Sequence, residues 1–225
     1  MNATERIVEQ YFRLHHHCLT VSDLKIPSAE GRQIDLLVIK PSTEPGKPAT
    51  YLHVEVSVTS TTHNPKLDKA LPRHFDHKFF GGPPLRRERV SKNTPDILRQ
   101  LKSTYELYGA EWASVQRVWC LWKYNSAGVA KLQTDLAAAH AEVSADKFRV
   151  LSFRDEVMPK LAGALGTSHH EDELVRLASL YETKAQEEKK LALKLAKQQA
   201  QAANKKFTPP VPEDPTASPF NFILP

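Results

Sequence analysis

Two successive apolar runs, each with one carboxylate near its centre, limit what this chain can fold into. They read Gln33-Ile34-Asp35-Leu36-Leu37-Val38-Ile39 and Tyr51-Leu52-His53-Val54-Glu55-Val56-Ser57-Val58. Their aliphatic and β-branched content, with a Pro/Gly loop from Pro41 to Pro48 between them, predicts two β-strands. The second alternates cleanly, with Leu52, Val54, Val56 and Val58 on one face and His53, Glu55 and Ser57 on the other. A carboxylate within such a run is costly to bury unless it is paired, hydrogen-bonded or bound to a metal. If the strands pair as a hairpin, Asp35 and Glu55 come within reach of one hard divalent cation. A half-exposed sheet face carrying ordinary solvated acids is the alternative.

The elements around these strands set the fold class. Thr4 to about His16 reads as a helix with an apolar stripe of Ile7, Val8, Tyr11 and Phe12, and Cys18 to Ile26 reads as a strand. A helix followed by three strands opens an α/β/α or α+β domain. Thr94-Pro95-Asp96 caps a helix that ends at Gly109. A strand at 115–124, a helix at 127–143, a strand at 148–153 and a short helix at 156–165 follow. This alternation implies partly parallel crossovers.

Between them, residues 60–92 carry Pro65, Pro72, Gly81-Gly82 and Pro83-Pro84 and read as a long functional loop. Its basic residues include Lys66, Lys69, Arg73, Lys78, Arg86, Arg87 and Arg89, interleaved with Phe75, Phe79 and Phe80. Such a segment suits contact with nucleic acid, cations neutralising phosphates and aromatic rings stacking on unpaired bases. The alternative is a solvated loop that its phenylalanines anchor to the core.

Past Ser168 the core-like pattern stops. Residues 168–206 form an extended helical arm of high helix propensity, and residues 207–225 a Pro-rich tail expected to be disordered. Arm and tail are the expected docking elements for a homodimer or a protein partner. The chain of 225 residues thus reads as one domain, residues 1–165, with two appendages. Its formal charge of +5 favours an acidic partner. Cys18 and Cys120 are too few for a disulfide framework and too far apart for a zinc knuckle. No stretch reaches the roughly 20 apolar residues of a membrane helix, and Met1 to Glu5 lack a signal peptide's character, so a cytoplasmic location without a membrane is expected. His15-His16-His17 and His169-His170 fall at helix ends, where solvated caps are expected rather than metal sites.

Glu5 on the opening helix, Asp35 on one strand and Glu55-Val56-Ser57 on the next resemble the PD-(D/E)XK nuclease superfamily, which includes restriction-endonuclease-like and Holliday-junction-resolvase-like folds. The resemblance covers residues 4 to 60 by motif and extends to about 165 by order of elements. It implies an α/β, three-layer restriction-endonuclease-like core with a mixed sheet. It also implies metal-dependent hydrolysis of phosphodiester bonds in nucleic acid, with DNA favoured over RNA. Asp35, Glu55 and Glu5 would hold Mg²⁺ or Mn²⁺ with the carbonyl of Val56, and Glu9 is the second choice for the helix acid. One or two carboxylate-held metals supply charge neutralisation and an activated water, and Mg²⁺ needs few protein ligands. The departure is Ser57, which stands where the family carries lysine. Losing one preorganised group of that kind commonly costs about 10²–10³ in rate. Lys78 is the candidate replacement, with Lys66 and Lys69 behind it. The competing expectation is a catalytically degenerate module that binds nucleic acid or scaffolds a complex through its arm and tail.

Overall fold

Asn2 starts the first helix by accepting the Glu5 N–H, while the Glu5 carboxylate returns to the Asn2 N–H, a reciprocal capping box. A computed structural model describes residues 1–27, 32–58, 71–82, 94–165 and 173–202. Helix α1, Ala3–Gln10, runs on into a π-helical turn at Tyr11–His15, so the single predicted helix ends in a widened turn. Among the described residues, five strands form one sheet in the order β1-β2-β3-β4-β5. These are Leu19–Lys25, Gln33–Lys40, Thr50–Ser57, Gln116–Leu121 and Phe148–Ser152. The first three pair antiparallel as a meander, and β4 and β5 join parallel.

Parallel neighbours need crossovers, and the chain supplies helices for them. Helices α2, Leu71–Phe80, and α3, Thr94–Leu107, lie between β3 and β4, and α4, Val129–Ala139, lies between β4 and β5. Both crossovers step toward the same sheet edge, so one hand of connection places all three helices on one face. There Phe75, Phe79 and Phe80 of α2 pack with Trp119 and Leu121 of β4, Val129, Leu132 and Leu136 of α4, and Phe148. A second cluster on α3 joins Leu101 and Tyr105 to Leu37, Ile26 and Val115. Each such side chain contributes about 1.5–3 kcal/mol by leaving water. α1 packs against β2 and β3, with Val8, Tyr11 and Phe12 fully buried. A π-helical turn at Phe153–Val157 leads into α5, Met158–Leu165. The α/β class and mixed sheet match the sequence reading.

The predicted loop at 60–92 is corrected in part. Its residues Leu71–Phe80 form α2, and Phe75, Phe79 and Phe80 are buried rather than displayed for base stacking. Pro72 sits in the first turn, where a missing N–H costs nothing, and Phe75 and Phe79 share one helix face. Gly81, at φ +76°, ends the helix in the left-handed region. Arg73 is exposed on α2, whereas Lys66, Lys69, Arg86, Arg87 and Arg89 lie outside the described residues.

The chain divides into two compact units, Met1–Ala164 and Leu165–Pro225. The second contains α6, Glu173–Ala202, a helix of 30 residues with Leu191 and Leu195 exposed. The predicted tail lies outside the described residues. Among the described residues no helix is long and apolar enough to cross a membrane. Both cysteines are buried free thiols.

Candidate functional site

The pairing of β2 with β3 decides where the two strand carboxylates go. Leu37 faces His53 and Leu36 faces Val54, so the same register sets Asp35 opposite Glu55. Both therefore stand on the sheet face covered by α2 and α3, and both are buried, Asp35 7 % and Glu55 1 % exposed. They line a cavity of about 420 Å³ together with Ile26, Arg32, Gln33, His77 and Lys78. Asp35 and Glu55 on strands, with Lys78 on a helix, are the sequence-predicted residues that meet there.

Glu55 is held from two sides, one oxygen each. Lys78, in the last turn of α2, places Nζ 2.7 Å from Glu55 Oε2. His53 Nε2 donates to Glu55 Oε1 at 2.9 Å, and its Nδ1 accepts from the Tyr105 hydroxyl at 2.6 Å. This tautomer follows from protonation. Burial holds His53 below its ordinary range, against the pull of Glu55, so the ring is neutral and its contact with Glu55 is a hydrogen bond rather than an ion pair. Burial likewise pushes the Tyr105 phenol upward, leaving it a donor. For Glu55 itself burial acts upward, but the bonds and charge of His53 and Lys78 outweigh it and hold the carboxyl below its ordinary value. For Lys78 burial acts downward, and the charges of Glu55 and Asp35 reverse it, so the amine stays protonated.

Asp35 differs. Its Oδ2 accepts the Val56 N–H at 2.8 Å, and among the described residues its other oxygen has no hydrogen-bond partner. Burial, then the neighbouring charge of Glu55, pushes its pKa up to about 6. The amide and carbonyl of one strand residue point to the same strand edge, so the Val56 carbonyl faces the edge from which Asp35 approaches. An open carboxylate oxygen, a main-chain carbonyl and a second carboxylate are hard oxygen donors and fit Mg²⁺ or Mn²⁺, which retain waters of their own. A cation seated there would compete with Lys78 for Glu55. Among the described residues no three His, Cys, Asp or Glu side chains converge as a ready-made metal cage.

The remaining predicted residues stand apart from the cavity lining. Glu5 is buried, but both its oxygens are taken by Asn2 in the α1 cap, and it acts on Asp35 only through its charge. Glu9 accepts from Thr20 Oγ1 at 2.8 Å, tying α1 to β1. Ser57 ends β3 beside Leu121, half-buried.

Sequence reasoning missed Tyr105 and Arg32 as site residues. Tyr105 lies 52 residues from the histidine it orients, and no local pattern marks such a contact. Arg32 reaches the carbonyls of His77, at 2.7 Å, and Gly82, at 3.1 Å, across the α2 C-terminus. His77 Nδ1 lies 2.7 Å from the Gly82 oxygen and 3.0 Å from Arg32 Nη2. One nitrogen cannot donate to the first and accept from the second, and the shorter contact assigns it as a donor to Gly82. No protein-family model, curated protein or solved structure matches this chain.

Proposed function

We propose that the protein is a metal-dependent nuclease of PD-(D/E)XK type, hydrolysing phosphodiester bonds in nucleic acid, with DNA as the favoured substrate. The observation that carries this reading is Lys78 Nζ at 2.7 Å from Glu55 Oε2 in a cavity shared with Asp35. Helix α2 thereby brings to the strand carboxylates the cation that Ser57 cannot supply. The meander β1-β2-β3 followed by parallel β4 and β5 supports the restriction-endonuclease-like form of the fold.

Asp35, Glu55 and the Val56 carbonyl would hold Mg²⁺ or Mn²⁺, with Glu5 acting from a distance. When bound, the cation supplies charge neutralisation at the phosphate and activation of the attacking water. Lys78 remains an ammonium and so cannot take the water's proton. Its work is to orient the nucleophile and offset charge on the phosphorus-bound oxygens. His53 and Tyr105 fix the Glu55 carboxylate before substrate arrives. The water oxygen bonds to phosphorus as one of its protons passes to solvent, one ester P–O bond breaks, and the leaving oxygen takes a proton from solvent.

A second reading rests on Glu5 and Glu55, whose oxygens are all engaged within the protein. A module so closed could bind nucleic acid, or assemble through residues 168–225, without cutting. Incubating plasmid, linear duplex, single-stranded DNA and RNA with Mg²⁺ or Mn²⁺ separates the two. The nuclease reading expects cutting that chelation abolishes and that Glu55→Gln lowers by about 10³-fold with its fold intact. Cutting that survives Glu55→Gln, or no cutting with either metal, removes it.

A further inference from the structure

Arg32 is a cation of the cavity that no step above uses. It precedes β2, is half-buried, and among the described residues it pairs with no carboxylate. Two of its N–H groups hold the carbonyls of His77 and Gly82, near the C-terminal end of α2, where helix carbonyls lack partners of their own. Those bonds fix the guanidinium plane relative to the helix that carries Lys78. Its Nη2 also lies 3.0 Å from His77 Nδ1, whereas Nε–H and the second N–H of Nη1 have no hydrogen-bond partner among the described residues, and the residue lines the same cavity as Asp35 and Glu55. A rigid guanidinium with open donors and no counterion is built to receive a planar or tetrahedral oxyanion.

We infer that Arg32 is the phosphate seat of this site, donating to a non-bridging oxygen of the phosphodiester while Lys78 stands by Glu55. The inference rests on the nuclease reading for its substrate class. It adds a specific division of labour: Arg32 binds, and Lys78 and the carboxylates act. Arginine suits the binding role because its fork remains charged at any working pH and is anchored at its other edge. The local charges agree, since Arg32 and Lys78 balance Asp35 and Glu55. An incoming phosphate therefore meets a cavity that is not net negative.

The test is affinity rather than cleavage. A fluorescein-labelled single-stranded DNA oligonucleotide is titrated by anisotropy into the full chain, once in EDTA and once in Ca²⁺, with wild type, Arg32→Ala and Arg32→Lys. Arg32→Ala is expected to weaken binding about tenfold in both buffers, the loss of one charge-assisted contact. Arg32→Lys, which keeps the charge and the fold but not the fork, should recover only part of that loss. Inorganic phosphate should compete with the oligonucleotide on wild type and not on Arg32→Ala. Equal affinity of wild type and Arg32→Ala in both buffers, or no binding by wild type, overturns the seat. If wild type cuts DNA but Arg32→Ala binds normally, the seat fails and the nuclease stands. If binding depends on Arg32 but nothing is cut, the nuclease fails and the seat stands.

Discussion

Glu55 and Arg117 are both buried charges on one face of one sheet, yet they build opposite things. His53, two residues before Glu55, is in register with Arg117 on β4. At the Glu55 end the charge meets a cation from α2 and an imidazole, and it borders a cavity. At the other end Arg117 is fully buried and donates to the carbonyls of Val115 at 2.7 Å and Trp112 at 3.0 Å. Its guanidinium lies between Phe80 and Trp112, at 5.0 and 4.2 Å from the ring centroids, and its Nε has no hydrogen-bond partner among the described residues. Burial of charge alone thus does not mark a site. The Glu55 end has what a site needs: space for a ligand and, at Asp35, an oxygen left open. The Arg117 end is a closed aromatic core that happens to contain a cation.

The largest effect that could break this contrast is at the closed end. Arg117→Ala should cost about 3 kcal/mol in urea denaturation, through a cavity and two unpaired carbonyls. Cleavage per folded molecule should not change. A fall in turnover with stability preserved would make Arg117 part of the site. Next comes Lys78→Met, expected to lower cleavage about 10²-fold, since it removes the cation paired with Glu55. Its cost in stability should stay near 1 kcal/mol because the lysine is partly exposed. A variant that unfolds without a rate defect would reverse the assignment.

The smallest effect concerns Asp35 in metal-free protein. Its carboxyl titrates at about 6 in the fold against an ordinary 3.8, so the ionised form burdens the native state. That burden is fully present above the folded pKa and is relieved as pH falls toward the unfolded value. Asp35→Asn, read in EDTA, should therefore stabilise the fold by about 2 kcal/mol near pH 8, and the gain should vanish by about pH 4. A gain independent of pH would show that the carboxylate is not strained by burial.

Much of this arrangement was legible along the chain. The strand alternation set Glu55 and His53 on one face, and the strands around Asp35 and Glu55 form within a residue or two of their predicted bounds. The helix α2 was hidden because prolines and glycines at both ends gave its middle the look of a loop. Glu5 was chosen as a ligand from motif order, while the structure spends its carboxylate on the helix cap. Capping is itself a local pattern, Asn2 followed three residues later by Glu5, and weighing it would have lowered the residue's standing.

By itself the sequence determined the secondary structure near the site and the residue types available, because side-chain alternation and turn chemistry act over a few residues. Only the tertiary structure decided that Lys78 meets Glu55, that Tyr105 sets the His53 tautomer, and that Arg32 joins them while Arg117 does not. Those pairings join residues brought together by strand register and helix crossover, and no local periodicity encodes which distant side chain fills a given space.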